Sequence, residues 1–246
     1  MVKQFWTEES IALYERTCDA LDYPAIPLDA DLRQMINSED TVMDIGCGPG
    51  GMSLYLAPLC RQVIAVDACP CAIDHLQQCA AQWGYANIQT YCGDFRQLEL
   101  PACDVTVALY VTGMLKGYAS AQRILEHTKR EGLILTTHTN GLDILQEQIA
   151  QRLQIHLPQH SCHNGCFIAA PLNEMASNLQ CRKIKHEFGQ PLQDRREACD
   201  FLQRILKIPA AYADQLSEIM EDYVEKRDQG WYVPNQRTSC LIRFQR

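Results

Sequence analysis

The sequence predicts an α/β protein built on a mainly parallel sheet, and two patterns carry this prediction. Five short apolar segments alternate with longer amphipathic segments between residues 41 and 138. A glycine-rich stretch follows the first apolar segment, where a strand would turn into a helix. Strands that alternate with helices form βαβ units, whose crossovers are right-handed and whose strands run parallel.

The predicted elements follow in chain order. A first helix is expected after Thr7, which suits an N-cap, and Pro24 and Pro27 interrupt the helical pattern beyond it. The predicted strands span 41–46, 62–67, 88–92, 103–109 and 132–138. Helical faces between them are marked by Ile73, Leu76, Ala80 and Trp83, and by Ala121, Ile124, Leu125 and Thr128. Later elements are predicted as a helix at 141–154, a strand at 182–188, a long amphipathic helix at 210–228 and a strand at 238–244.

The domain organisation follows from length and pattern. A chain of 246 residues is long enough for one α/β domain with a cap, and it shows no internal repeat or linker. We therefore predict a single domain over 1–246, with a cofactor-binding core at 41–140. Residues 1–40 and 141–237 are expected to form a substrate cap and insertions.

Composition narrows the classes of partner. Hydrophobic residues make up 47% and charged residues 21%, which is typical of a globular protein. The sequence lacks an apolar run long enough to span a membrane and lacks a secretory signal, so a cytoplasmic protein is expected. The formal net charge of −8 disfavours nucleic acid as a partner, because phosphate binding calls for a basic face. The basic clusters, Arg182-Lys183-Ile184-Lys185 and Arg195-Arg196, are short.

Cysteine is frequent, with 13 residues. An odd count in a chain of this length is not typical of a secreted disulfide framework and favours a reducing compartment. Two segments, 69–71 and 160–166, are rich in cysteine or histidine, but neither has a spacing typical of zinc sites. We predict no metal, although a thiolate at the start of the helix after Cys69 stays an alternative.

The glycine-rich turn carries the strongest functional signal. It comprises Gly46, Gly48 and Gly50, and glycines here allow a tight turn and close approach of a ligand. Asp67 ends the next strand about 20 residues later, where an acidic side chain commonly holds a ribose diol. Together they predict a nucleotide-like cofactor.

Two cofactor classes match the turn. Gly46-x-Gly48-x-x-Gly51 agrees with the dinucleotide fingerprint. The pattern Asp44-x-Gly46-x-Gly48-x-Gly50 instead resembles the first motif of the class I S-adenosylmethionine-dependent methyltransferases. The later segment Gly93-Asp94-Phe95 and the strand at 103–109 also resemble that family, in the right order, and favour it over dinucleotide binding.

This resemblance implies a Rossmann-like class I methyltransferase fold, with a central, mainly parallel, seven-stranded sheet, helices on both faces and a late-inserted helical cap. It implies that Asp44 lies near the aminoacyl part of S-adenosylmethionine, that Asp94 contacts the adenine amino group and that the Phe95 ring packs on adenine. The implied cofactor-binding residues are Asp44, Gly46, Cys47, Gly48, Gly50, Asp67, Ala68, Gly93, Asp94, Phe95 and Leu109.

Methyl transfer requires alignment more than a catalytic motif, because the cofactor brings its own leaving group. The segment Leu109-Tyr110-Val111-Thr112-Gly113 lacks the Asn-Pro-Pro-Tyr pattern of several nucleic-acid amino methyltransferases, which disfavours base N-methylation. Tyr110, Thr112 and His138 lie at strand ends where α/β ligands bind, and His138 is a candidate general base. A packing or capping role for His138 is the alternative.

The main hypothesis is an enzyme that methylates a small-molecule acceptor on O, N, S or carbon. The alternatives are a protein or tRNA methyltransferase, a non-catalytic S-adenosylmethionine-binding module and, more distantly, a nicotinamide-dependent oxidoreductase. The cap segments are expected to place Trp6, Tyr14 and residues 154–180 at the cofactor mouth, with Trp231 and Tyr232 as further candidates. The acceptor and the oligomeric state stay open.

Overall fold

Two helices precede the sheet in the structure, a computed structural model that describes residues 6–111, 115–158, 165–228 and 230–246. Helix α1 (Glu8–Leu21) begins at Thr7, whose side chain forms a reciprocal capping box with Ser10, as the sequence predicts. Helix α2 (Ala25–Met35) contains non-helical backbone at Ile26 and Pro27. The helical path is therefore interrupted at Pro27, as the sequence predicts.

The next elements form the alternating core that the sequence predicts. They are β1 (Thr41–Ile45), α3 (Gly51–Leu56), β2 (Gln62–Asp67), α4 (Pro70–Trp83), β3 (Ile88–Cys92), β4 (Cys103–Leu109), α5 (Gly117–His127) and β5 (Thr128–Asn140). The five predicted strands are confirmed, and β5 is longer than predicted because it pairs with the last strand along most of its length. Thr128, predicted on a helical face, is the first residue of β5.

The late region departs further from the prediction. Its elements are α6 (Gly141–Leu153), α7 (Ala169–Met175), β6 (Ser177–Glu187), β7 (Gln190–Leu192), α8 (Arg195–Ile205), α9 (Ala213–Ile219), β8 (Glu225–Arg227), β9 (Gly230–Val233) and β10 (Gln236–Gln245). The long helix predicted at 210–228 is wrong. Leu216 and Met220 do face the core, but the chain then leaves the helical path and pairs Glu225–Arg227 with β9.

Seven of the described strands form the central sheet, in the order β3-β2-β1-β4-β5-β10-β6. The first five are parallel, whereas β10 runs antiparallel to both β5 and β6. The order reverses between β1 and β4, so the carboxyl ends of these strands form the crevice where ligands of open α/β sheets bind. The predicted mainly parallel sheet is confirmed.

The core lies on both faces of this sheet. Along β1, Val42 packs with α2, α3 and α4, whereas Met43 packs on the opposite face with α5 and α7. A third cluster joins α1, α6, α8 and α9 beyond the sheet. The cap, predicted to be helical, also contains a small antiparallel sheet in the order β7-β9-β8. A search of the described helices finds none with the length and hydropathy needed to cross a membrane.

Candidate functional site

The glycine-rich turn joins β1 to α3 at the carboxyl end of the sheet. Its backbone is held against the end of β2, since the amides of Gly46 and Cys47 both donate to the Val66 carbonyl, at 2.7 and 3.0 Å. Gly46, Gly48 and Gly50 have φ of +71°, +53° and +104°. L side chains rarely adopt such backbone, which explains the glycines on conformational grounds.

Asp67, at the tip of β2, is bonded to the turn. Its Oδ2 accepts the Gly48 amide at 2.9 Å, and its Oδ1 accepts the Cys69 amide at 2.8 Å. The residue is half-buried, as is Ala68 beside it. Because each carboxylate oxygen has two lone pairs, each oxygen keeps acceptor capacity for a ligand hydroxyl.

Asp44 lies beneath the turn, fully enclosed. Its Oδ2 accepts a hydrogen bond of 2.6 Å from the Ser53 hydroxyl on α3. Burial, reinforced by the charge of Asp67, raises the pKa of Asp44 to about 7. A carboxyl group poised near neutral pH is stabilised in its ionised form by a cation placed beside it.

The segment after β3 meets the same edge. The Gly93 amide donates to the Asp67 carbonyl at 2.9 Å. Asp94 is half-buried and accepts from the Arg96 guanidinium, at 2.9 Å from Nε, a contact that lowers the pKa of its carboxyl group. Phe95 corrects an expectation: its ring has no exposed surface and packs in the core, 6.1 Å from His127. The ring therefore offers no face to adenine in this structure.

Two aromatic residues cover the turn from the N-terminal side. A Cβ built on Gly48 would lie 2.9 Å from the Trp6 ring, and one on Gly51 would lie 2.6 Å from the Tyr14 hydroxyl. The two rings meet edge to face at 5.4 Å. Trp6 and Tyr14 thus lie at the turn, and their place at the cofactor mouth stays a prediction.

Two other predicted aromatics do not line this site. Tyr232 is buried in β9 and donates its hydroxyl to Glu187 at 2.8 Å, and Trp231 packs against the third cluster. Their positions follow from the small sheet, in which they pair with β7 and β8.

The end of β4 carries a buried polar network. Leu109 is half-buried. The next residue, Tyr110, has φ of +57°, a strained conformation for a non-glycine residue. Its hydroxyl lies 2.9 Å from His186 Nε2 and 2.8 Å from Ser239 Oγ. Burial raises the pKa of Tyr110 and lowers that of His186 to about 4, so both groups are neutral near pH 7.

His138 occupies a β-bulge near the carboxyl end of β5. Pairing with β10 runs from Thr139 directly to Thr137, so His138 is the extra residue of the bulge. It is half-buried. Bulges commonly redirect a side chain near a functional site. Thr112 and the histidine- and cysteine-rich residues 160–164 lie outside the described residues, so the structure does not place these candidates.

The cysteines of the other predicted segment lie at the start of α4. Cys69 is buried, and burial raises the pKa of the Cys71 thiol. Neither observation favours a stabilised thiolate. Elsewhere, Glu15, His75 and Cys79 cluster between α1 and α4, with Glu15 Oε1 at 2.8 Å and Cys79 Sγ at 3.4 Å from His75 Nε2.

A pocket of about 430 Å³ lies beside the turn, between α1, α6, α8 and the start of β10. We call it the cap pocket. It is lined by Thr7, Glu9, Ser10, Leu13, Tyr14, Thr17, Leu142, Phe188, Gln190, Phe201, Arg204, Ile205, Val233, Asn235 and Arg237. Its volume suits a small organic molecule. Tyr14 belongs to both the pocket wall and the cover of the turn, so the two spaces adjoin.

Sequence reasoning missed three polar residues here: Asn235, Arg237 and His186. All come from the chain after β5, far in sequence from the glycine motif. The available signal is weak and consists of an arginine three residues after a proline, at the start of the final strand. Only the antiparallel insertion of β10 beside β5 brings Arg237 to this edge of the sheet.

Comparison with known proteins finds similarity to methyltransferases over part of the chain. Residues 42–132 match the family model described as a methyltransferase domain. A probable dimethyladenosine transferase from Dictyostelium discoideum is 38% identical over 77 residues, which cover 31% of this chain and 24% of that protein. The chain thus matches only about a quarter of this curated relative.

Solved structures share the fold over most of the chain. The YcgJ protein of Bacillus subtilis has a TM-score of 0.58 at 17% identity, with 89% of this chain and 97% of that chain covered. A Haemonchus contortus phosphoethanolamine N-methyltransferase, solved with phosphomonomethylethanolamine and S-adenosylhomocysteine, has a TM-score of 0.57 at 13% identity. The match covers 98% of this chain and 57% of that chain.

Proposed function

We propose that the chain is a class I S-adenosylmethionine-dependent methyltransferase and that it methylates a small-molecule acceptor bound in the cap pocket. The observation that carries the proposal is the position of this pocket. It adjoins the glycine-rich turn through Tyr14 and has the volume of a small ligand.

The residues at the carboxyl edge of the sheet suit the cofactor. Asp67 has acceptor capacity for the ribose hydroxyls, and Asp94, at the end of the neighbouring strand, suits the adenine amino group. Asp44 suits the ammonium of the aminoacyl part, because a nearby cation offsets the unfavourable burial of its charge. When bound, S-adenosylmethionine supplies a methyl group on a sulfonium that leaves as a thioether in an in-line displacement.

The protein's own contribution is alignment, exclusion of water and removal of a proton. Tyr14 and Trp6 close the space over the turn. His138 is our candidate general base for an oxygen or nitrogen nucleophile, since it lies near the carboxyl end of β5, where ligands of such sheets bind. Tyr110 is a candidate positioning residue, because its hydroxyl is held by His186 and Ser239 and its pKa is raised.

The surface around the basic clusters supports a small molecule over RNA. Arg182 pairs with Asp31, and Arg195 pairs with Glu221. Lys183 and Lys185 are exposed on β6, the edge strand of the sheet, where lysines commonly discourage pairing with another sheet. The formal net charge of −8 also favours a small molecule over RNA, because RNA binding calls for a basic surface.

RNA methylation is the second candidate, favoured by the relative named as a dimethyladenosine transferase. The segment Leu109-Tyr110-Val111 at the end of β4 lacks the Asn-Pro-Pro-Tyr pattern expected for base N-methylation. We place the reaction in a reducing compartment such as the cytoplasm, since an odd number of cysteines, 13, is not typical of a secreted disulfide framework.

The test begins with calorimetric titration of the full chain with S-adenosylmethionine, with NAD as the control ligand. We expect saturable binding of S-adenosylmethionine alone. Labelled cofactor is then incubated with a cell extract separated into small-molecule, RNA and protein fractions. Label in the small-molecule fraction supports the proposal, whereas label in RNA or protein, or binding without transfer to any fraction, would contradict it.

A further inference from the structure

One cation in the cap pocket is buried without an anionic partner. Arg237 lies at the start of β10, and its guanidinium stacks 4.1 Å from the centre of the Phe188 ring. Its Nε is buried with no hydrogen-bond partner among the described residues. Its guanidinium does hydrogen bond to the Tyr110 hydroxyl, which is neutral, but Arg237 takes part in none of the salt bridges found in that part of the chain. Asp143 is only the last of the influences on its pKa.

A buried guanidinium without an anionic partner is costly, because arginine does not deprotonate in proteins and its charge has lost water. An anionic group of a ligand, bound beside the guanidinium, offsets this cost of burying the charge. The guanidinium presents parallel N–H donors in a planar fork that matches the two oxygens of a carboxylate. The buried Nε of Arg237 is one N–H of this fork that still lacks an acceptor.

A second donor on the pocket wall points to the same conclusion. The side-chain Oδ1 of Asn235 accepts the Leu142 amide at 3.3 Å, which fixes how the side-chain amide is turned. Its Nδ2 is buried and has no partner within the described ranges. Since native proteins pair almost all buried polar atoms, two orphaned donors in one pocket indicate a ligand with acceptor oxygens.

The other side chains of the pocket indicate the polarity and charge of the rest of the ligand. Most of the side chains around the two donors are apolar, including Leu13, Leu142, Phe201 and Val233. The other arginine of the pocket, Arg204, is exposed and paired with Glu9. One uncompensated cation matches one negative charge, which favours a carboxylate over a phosphate dianion.

We propose that the cap pocket binds an acceptor with a largely apolar body and one carboxylate, and that Arg237 and Asn235 hold that carboxylate. The inference rests on the proposed function, since it names the acceptor class of the same pocket. Anchoring the carboxylate at β10 leaves the remainder of the molecule to extend past Tyr14 toward the glycine-rich turn. The nucleophilic atom is then expected at the end of the acceptor away from its carboxylate.

The test compares matched ligands on the full chain saturated with S-adenosylhomocysteine. The probes are 3-phenylpropionate, its neutral amide and phenyl phosphate, and their dissociation constants are measured by ligand-observed NMR. We expect the acid to bind roughly ten- to a hundredfold more tightly than the amide, the range for hydrogen bonds to a charged group. Equal binding of acid and amide, absence of binding by the acid, or preference for phenyl phosphate would overturn the assignment.

Three variants test whether the preference for the acid depends on Arg237. Arg237→Gln is expected to remove the preference for the acid, and Arg237→Lys to keep part of it. Arg204→Gln changes an arginine of the same pocket that is already paired, and it should leave the preference unchanged. An equal loss in Arg204→Gln would show a general charge effect and refute the role of Arg237. Binding of S-adenosylhomocysteine, recorded in the same series, reports folding and separately tests the cofactor assignment.

Discussion

The Asp67 carboxylate and the Gly48 backbone amide are joined by a hydrogen bond of 2.9 Å, which ties the tip of β2 to the glycine-rich turn. The same carboxylate accepts the Cys69 amide with its other oxygen. Asp67 therefore has two tasks in this structure: it fixes the turn, and it presents its remaining lone pairs at the edge of the sheet. A substitution here is expected to affect cofactor binding through both.

We expect Asp67→Ala to weaken S-adenosylmethionine binding by roughly 1.5–3 kcal/mol, the usual range for hydrogen bonds to a charged group. Calorimetric titration of the folded variant measures the change. Asp104→Ala is a matched control, because Asp104 also accepts a backbone amide, that of Thr41 at 2.8 Å, but lies at the opposite end of the sheet. Unchanged affinity in Asp67→Ala, or an equal loss in Asp104→Ala, would remove the ribose role.

Gly48 provides a second prediction. Its φ of +53° and the Trp6 ring 2.9 Å from a built Cβ leave no room for a side chain. We expect Gly48→Ala to lower S-adenosylmethionine affinity by at least about tenfold, since its backbone strain of about 1–2 kcal/mol adds to a steric contact.

A variant at Gly84 separates the effect of backbone strain from the effect of the steric contact. Gly84 has φ of +75°, and a Cβ there meets nothing within 4 Å. Gly84→Ala therefore introduces similar backbone strain without the contact, and we expect its cofactor affinity to stay near that of the wild type. If both variants bind equally well, the turn does not face the cofactor.

Asp44 predicts a pH dependence. Burial raises the pKa of its carboxyl group to about 7, whereas an unfolded aspartate has a pKa near 3.9. The unliganded protein therefore loses stability as pH rises from about 4 through 7, because the folded state holds a proton that the unfolded state has released. A cofactor ammonium beside Asp44 favours the ionised form, so binding below pH 7 releases this proton and strengthens as pH rises toward 7.

Calorimetry in two buffers of different ionisation enthalpy, at pH 6, measures that proton release. Asp44→Asn should bind weakly and release no proton at this position. Ser53→Ala removes the hydroxyl that stabilises the ionised carboxylate at 2.6 Å, so it should move the transition to higher pH. Identical proton release in the wild type and in Asp44→Asn would contradict the placement of the ammonium.

The sequence predicts the parallel half of the fold well because its signals are local. The strands β1, β2 and β4 are short, mainly apolar runs, and the turn at Gly46, Gly48 and Gly50 requires backbone that glycine adopts readily. The ribose candidate Asp67 follows from the same local pattern. These residues are close in sequence to the elements that position them.

The cap is harder to predict because its structure depends on long-range pairing. Residues Glu225–Arg227 have a polar, helix-compatible sequence, yet they form a strand because Trp231 and its neighbours in β9 offer a partner. Arg237 reaches the cap pocket only because β10 inserts between β5 and β6. For Phe95, the family resemblance implies that the ring packs on adenine. In the structure the ring is instead buried in the hydrophobic core.

His138 gives the last prediction. As the extra residue of the bulge in β5, it is redirected relative to its neighbours at the edge of the sheet where the acceptor is expected. With an acceptor identified by the labelling experiment, we expect His138→Ala to lower turnover by about 10²–10⁴-fold, the contribution usual for a general base, while cofactor affinity is retained.

Thr139→Ala is the matched control for this variant. It changes the next residue of the same strand, which is exposed and pairs with Thr238 on the other side of the bulge. Its turnover should stay within about twofold of the wild type, since surface substitutions usually have small effects. Unaltered turnover in His138→Ala would exclude a proton-transfer role, and the acceptor would then have to lose its proton to solvent or carry none at the methylated atom.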